Sequence, residues 1–205
     1  MLRQLLKRKT VMRSFVWGWC VALTLLVAGP AQAQREVANA PDPWVHAATG
    51  AKLPVSVAGF QRTRVSEYSD DGRDASASYV LRREGGFVSV TLYIYPAAAG
   101  LTCVQTFADG QAQIVRRGGV RLIREARDLP PSGRGTPVAH YARYAIPAGT
   151  MGEGIPALTS DLYLHCPAGS GFLVKYRASG TEGFEFGPDV TRLIRSIAWP
   201  AALAD

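Results

Sequence analysis

The sequence predicts an α+β domain: a single, mainly antiparallel sheet of about six to seven strands with two helices packed on it. Three observations carry this. Runs of period-two alternation follow one another across short turns containing Gly, Pro or Asp, the pattern of hairpins rather than crossovers. Two segments break that pattern with helical spacing, one mid-chain and one near the end. Finally, 205 residues with 47% hydrophobic and 19% charged content exclude a disordered chain and suit one domain with a proper core.

Residues 34–52, with Pro41, Pro43 and many small side chains, read as an extended approach segment. The run 55–68 alternates loosely and ends in Ser69-Asp70-Asp71-Gly72-Arg73-Asp74, where Asp-Gly marks a turn because Gly tolerates positive φ. Runs 75–83 and 87–95 form the next pair, joined at Glu84-Gly85-Gly86. In the second, Val88, Val90, Leu92 and Ile94 point one way; Phe87, Ser89, Thr91, Tyr93 and Tyr95 point the other. Thr102 with Gln105 three residues later predicts a capping box. Val104, Phe107, Ala108, Gln111, Ile114 and Val115 then follow helical spacing, Arg116-Arg117 suits the C-terminal dipole, and Gly118-Gly119 closes the helix. Gly110 inside it costs about 1 kcal/mol relative to Ala, so the helix centre is either weak or closely packed.

Further strands are expected at 120–127, 137–146, 157–166 and 171–179. A Pro- and Gly-rich loop at 129–136, a Gly-rich connection at 147–156 and a tight turn at 167–170 separate them. Gly187-Pro188 opens the last helix, where Val190, Leu193, Ile194, Ile197 and Ala198 make a one-sided apolar stripe, until Pro200 stops it. The expected order is strand-strand-strand, helix, strand-strand-strand-strand, helix, in one domain over 53–200.

The chain carries 23 Lys+Arg against 16 Asp+Glu, a net of +7. Five of those basic residues (Arg3, Lys7, Arg8, Lys9, Arg13) and no acidic ones fall within residues 1–33; removing them leaves 18 against 16, a net of +2. A nucleic-acid partner needs a basic domain, not a basic leader, and is excluded on this ground. Residues 1–33 read as a Sec-type signal peptide: a basic start, the uncharged run 15–28, then Gly29-Pro30 and the small residues Ala31-Gln32-Ala33. That run spans about 21 Å as a helix, short of the roughly 30 Å hydrocarbon core, which favours cleavage over a retained anchor and no stable membrane span afterwards. Met12 is an alternative start, and Cys20 lacks the small apolar residues of a lipobox. The expected location is a bacterial periplasm or the exterior.

Export would remove Cys20 and leave Cys103 and Cys166, an even number in an oxidising compartment. They form either one disulfide or two packed thiols.

The residues Leu53-Pro54, Gly59-Phe60 and the strand Val88-Ser89-Val90-Thr91-Leu92-Tyr93-Ile94-Tyr95-Pro96 resemble the opening of PsbP/DcrB-type domains. The likeness covers residues 53–198 in element order. It implies a small exported α/β sandwich in an accessory rather than enzymatic role, and supplies no catalytic motif.

The residues themselves offer no catalytic constellation, no cofactor motif and no metal-ligand spacing around His46, His140 and His165. Cys103 near a helix start could be an activated thiol, against the simpler reading as half a disulfide. Asp70, Asp71 and Asp74 could gather calcium but lack the closing Glu of known loops. The candidate binding residues are Tyr93, Tyr95, His140 and Tyr144, which combine apolar area with a polar tip on strand faces, together with Arg121 and Arg124 from a local basic stretch. Tyr163 and His165 share that character. The alternative is a second core layer under a helix. The expected function is therefore a non-enzymatic exported domain, accessory or envelope-associated, acting on an envelope protein or a small ligand. A binder of small ligands or lipid headgroups through the polar-aromatic sheet face stands beside it, and an exported hydrolase behind both.

Overall fold

The computed structural model describes residues 34–205, so the expected signal peptide at 1–33 lies outside the described residues. The strands are β1 (Arg35–Glu36), β2 (Trp44–Val45), β3 (Lys52–Leu53), β4 (Ser56–Val57), β5 (Phe60–Glu67), β6 (Ala75–Arg83), β7 (Gly86–Pro96), β8 (Arg121–Asp128), β9 (Ala139–Ile146), β10 (Leu158–His165) and β11 (Phe172–Thr181). The helices are α1 (Cys103–Val115), between β7 and β8, and α2 (Gly187–Ser196) and α3 (Ala201–Ala204) after β11. The fold is α+β, and every ladder is antiparallel.

The sheet has nine strands rather than six or seven, ordered β1-β5-β6-β7-β11-β10-β9-β8 with β4 also on β5. The seven long strands lie where alternation places them. The two extra members, β1 and β4, are two-residue pairings too short to show a period. Among the described residues there are three helices rather than two: α2 ends at Ser196, before Pro200 could stop it, and Pro200 instead precedes the four-residue α3. Residues 34–52 are not merely an approach: β2 pairs with β3, and Trp44, His46 and Ala51 are buried.

Two meanders, β5-β6-β7 and β8-β9-β10-β11, join at the β7–β11 ladder, where Tyr93 pairs with Lys175 and Tyr95 with Leu173. On one face lies the larger core. Val88, Val90, Leu92 and Ile94 of β7 are all at most 1% exposed there, as the pleat predicts. Val190, Leu193, Ile194 and Ile197 of the α2 segment cover them with Trp44 and Leu53. Each such large apolar side chain gains roughly 1.5–3 kcal/mol on burial, which is what fixes α2 to the sheet. Gly180 permits the approach of Phe186 at the start of α2, since a Cβ there would stand 2.6 Å from the Phe186 ring and 2.9 Å from the Phe87 carbonyl.

On the other face α1 packs chiefly over β9 and β10, through Phe107 and Ile114 against Ala142, Tyr144, Leu162 and Leu164, with Leu173 of β11 at the margin of the cluster. The capping box forms as expected, with Thr102 Oγ1 accepting from Gln105 N and Gln105 Oε1 accepting from Thr102 N. Its apolar stripe is narrower than the spacing suggests, for Val104 and Val115 point outward. Gly110 takes the central place: a Cβ there would meet Leu162 Cδ2 at 3.3 Å, so the helix centre is closely packed rather than weak. A Cys103–Cys166 disulfide, Cα–Cα 6.0 Å, ties the first turn of α1 to the residue after β10. Among the described residues no helix is long and apolar enough to cross a membrane.

Candidate functional site

Because α1 sits over β9 and β10 and reaches only the near margin of β11, most of the remainder of that face, made by β6, β7 and β11, is left without a helix. Its side chains are those that the pleat turns away from the α2 core: Ser76 and Ser78, Thr91, Tyr93 and Tyr95, and Lys175, Arg177 and Ser179. Along the flank of α1 this surface dips into a groove of about 240 Å³ lined by Tyr68, Asp74, Tyr93, Tyr95 and Lys175. A narrower recess of about 90 Å³ continues beneath α1, between Gly110 and Gln113 and the pair Lys175 and Arg177.

One cation, Lys175, lines the groove, and a second, Arg177, lies in the recess that adjoins it. Lys175 Nζ sits 4.4 Å from the centre of the Tyr93 ring and 5.1 Å from that of Tyr95, a double cation–π contact. Tyr68 leans on Tyr93 with ring centres 6.3 Å apart. Arg177 Nε donates to Ser160 Oγ at 3.2 Å, while its Nη2 is buried and meets no acceptor among the described residues. Neither cation forms an ion pair among the described residues. Burial lowers the pKa of Lys175 against the pull of Asp74, and burial with Arg117 nearby lowers that of Arg177. Burial lifts the Asp74 carboxyl and Tyr93, and pushes Tyr95 up to about 12. The tyrosines therefore stay neutral, and a partly desolvated positive centre faces the groove without a counter-charge in contact.

The six residues singled out from the sequence divide three ways. Tyr93 and Tyr95 stand in the groove, half-buried. His140 and Tyr144 occupy the same face two strands beyond β11, but under α1. There His140 stacks on Phe107 with ring centres 4.9 Å apart, and its Nε2 accepts from Arg127 Nη1 at 2.9 Å. Arg121 and Arg124 lie at the far edge on β8, turned to the opposite face by their register with Ala145 and Arg143, and Arg124 rests on the Tyr141 ring. They are not brought to Tyr93. Tyr163 and His165 are core on the α2 face, with Tyr163 stacked on Tyr176 and donating to the Leu129 carbonyl at 2.8 Å.

Lys175, Arg177 and Tyr68 were missed by sequence reasoning, and Asp74 was weighed only as a calcium ligand. The signal was present in Leu173-Val174-Lys175-Tyr176-Arg177-Ala178, where two cations alternate with apolar residues on a strand that turns out to be central.

Other hollows offer less. The space between the 129–133 loop and α2 is about 30 Å³, room for a water and little more. A cleft of about 440 Å³ between α1 and β8 is larger, but its polar groups satisfy one another: Arg127 with His140 and the Val138 carbonyl, Glu125 with Gln111. Cys103, disulfide-bonded, is no free nucleophile. Asp71 is held by Ser69 and the Arg73 amide, the first of which chiefly depresses its pKa. Comparison with family models, curated proteins and solved structures finds no match for the chain.

Proposed function

We propose that this chain is an exported, non-enzymatic binding domain whose groove beside α1 takes a small anionic group, either a free anion or the headgroup of an anionic lipid. The observation that carries the reading is Lys175 in the tyrosine-lined groove and Arg177 in the recess that adjoins it, two partly desolvated cations that form no ion pair among the described residues, with Asp74 the one carboxylate in the lining. A protein that needed these charges only for folding would pair them, since a buried unpaired charge costs stability. Tyr93 and Tyr95 supply apolar walls with polar tips for a ligand that is charged at one end. The likeness of residues 53–198 to PsbP/DcrB-type exported domains leans toward an accessory role. A hydrolase would need a nucleophile and a base within reach of each other, and the groove lining offers neither Ser, Cys nor His.

Calorimetric titration with inorganic phosphate, with dodecyl phosphate and with phosphatidylglycerol vesicles tests this. Binding of phosphate and dodecyl phosphate marks a free-anion site, and binding of the vesicles alone marks a headgroup site. Lys175→Met with Arg177→Met should abolish either while the fold persists. Failure of all three probes, or binding unchanged in the double variant, overturns the proposal.

A further inference from the structure

The two ends of the sheet differ. At the β5 end the short strands β1 and β4 cover the edge, pairing at Ser66–Glu67 and at Phe60–Gln61. At the other end β8, eight residues long, pairs with β9 only, and nothing among the described residues covers its outer side. The loop that follows does not fold back across it. It runs under the α2 face, where the Ser132 amide donates to the Ala204 carbonyl at 2.9 Å.

An open edge of this length invites another strand, and charged side chains commonly guard such edges by repelling one. Here the order of charge does the reverse. Residues 124–128 read Arg-Glu-Ala-Arg-Asp. Turned antiparallel about Ala126, the segment sets Arg124 opposite the partner's Asp128 and Glu125 opposite the partner's Arg127. By symmetry each pair occurs twice, with no like charges directly opposed. The pleat agrees: Arg124, Ala126 and Asp128 register with Arg143, Tyr141 and Ala139, and Glu125 and Arg127 with Ala142 and His140, so each proposed pair shares a face. Moving the symmetry centre to Glu125 or to Arg127 sets that residue against its own copy, because antiparallel symmetric pairing can shift only in steps that preserve the faces. The register shift between Leu122 and Arg124 ends the match at one side, and Pro130, which has no amide hydrogen, ends it at the other.

We propose that β8 is a homodimer edge: two copies of this chain pair antiparallel through residues 124–128, centred on Ala126, into one continuous sheet. The side chains needed keep free groups: Arg124 is exposed on the Tyr141 ring, Arg127 uses only Nη1 for Val138 and His140, Glu125 uses only Oε2 for Gln111, and Asp128 uses only Oδ1 for the Leu129 amide. The two-fold axis stands perpendicular to the sheet, so both Lys175–Arg177 grooves open on the same side of the pair.

Sedimentation equilibrium of the purified chain tests this. A dimer is expected, loosened at least tenfold between low and high salt because its contacts are exposed ion pairs. Arg124→Asp should weaken it at least tenfold by opposing two acidic residues at each end. The swap Arg124→Asp with Asp128→Arg should restore it, whereas a merely structural role for these residues would leave the swap as poor as the single change. Ala126→Cys should give a reducible dimer absent from the unsubstituted chain, since cross-strand Cβ atoms directly opposed lie within disulfide reach. A monomer at all concentrations, a dimer indifferent to Arg124→Asp, or no rescue by the swap in a chain with unchanged circular dichroism overturns the proposal.

Discussion

Arg143 and Asp161 face each other across β9 and β10 in a two-pronged ion pair, Nε to Oδ1 at 2.7 Å and Nη2 to Oδ2 at 2.8 Å. The Asp161 side chain is 3% exposed, the arginine 27%, and the guanidinium lies against the Phe186 ring at the start of α2. The contact with Asp161 raises the pKa of Arg143 above its ordinary value, so it is charged at every accessible pH. Removing one partner strands the other. Asp161→Ala should cost about 3 kcal/mol, the lower end for a broken buried pair because the arginine keeps a wet edge. Replacing both with Met and Leu should recover most of that loss. Urea unfolding midpoints of the two variants measure the contrast.

Reduction of Cys103–Cys166 releases a 63-residue loop, and the chain-entropy treatment puts its stabilising effect at up to about 4 kcal/mol. Since the bridge anchors the first turn of α1, amide exchange should rise in α1 before it rises in β6 or β7. Exchange that rises uniformly would show the bridge acting on the whole fold instead.

All three histidines hold a proton less readily in the folded chain than free in water. Burial is the leading cause for each, aided at His140 by Arg127 and opposed at His46 and His165 by backbone acceptors. A depressed folded pKa means that the unfolded chain binds more protons below about 6.5, the ordinary histidine value. The stabilisation is therefore complete above that pH and is lost as pH falls through the folded values, by at most about 1.4 kcal/mol per unit for each histidine. Melting temperature between pH 8 and 5 should decline on the acid side, and His140→Gln should flatten the curve.

Two glycines should respond oppositely to Ala. At Gly180 the new methyl would strike the Phe186 ring and the Phe87 carbonyl, at a cost of about 1–3 kcal/mol. At Gly110 the neighbour is the tip of a Leu162 side chain, which can turn aside, while the helix gains up to about 1 kcal/mol in propensity. Thermal melts of the two variants should move in opposite directions.

The long elements were readable because each repeats its period several times; β7, α2 and the Thr102–Gln105 cap are local patterns and lie where the residues place them. β1 and β4 were not, since a two-residue pairing has no period and forms only where β5 already offers an edge. The site was half legible. Tyr93 and Tyr95 could be picked by alternation, yet their separation from His140 and Tyr144 depends on which strands α1 covers, and that is decided by a non-local pairing. Arg121 and Arg124 fell to the opposite face through pairing with β9, beyond what charge clustering conveys.

The seam between β7 and β11 has a consequence for how the chain comes to exist. Tyr93 and Lys175 are neighbours across that seam though more than eighty residues apart in sequence. Neither meander holds a groove by itself: one supplies the aromatic walls, the other the charge. The sheet cannot close until β11, its last strand in chain order, slides between β7 and β10. The groove therefore cannot form until β11 is in place, and a chain interrupted anywhere before residue 172 would be a partial sheet without Lys175 or Arg177.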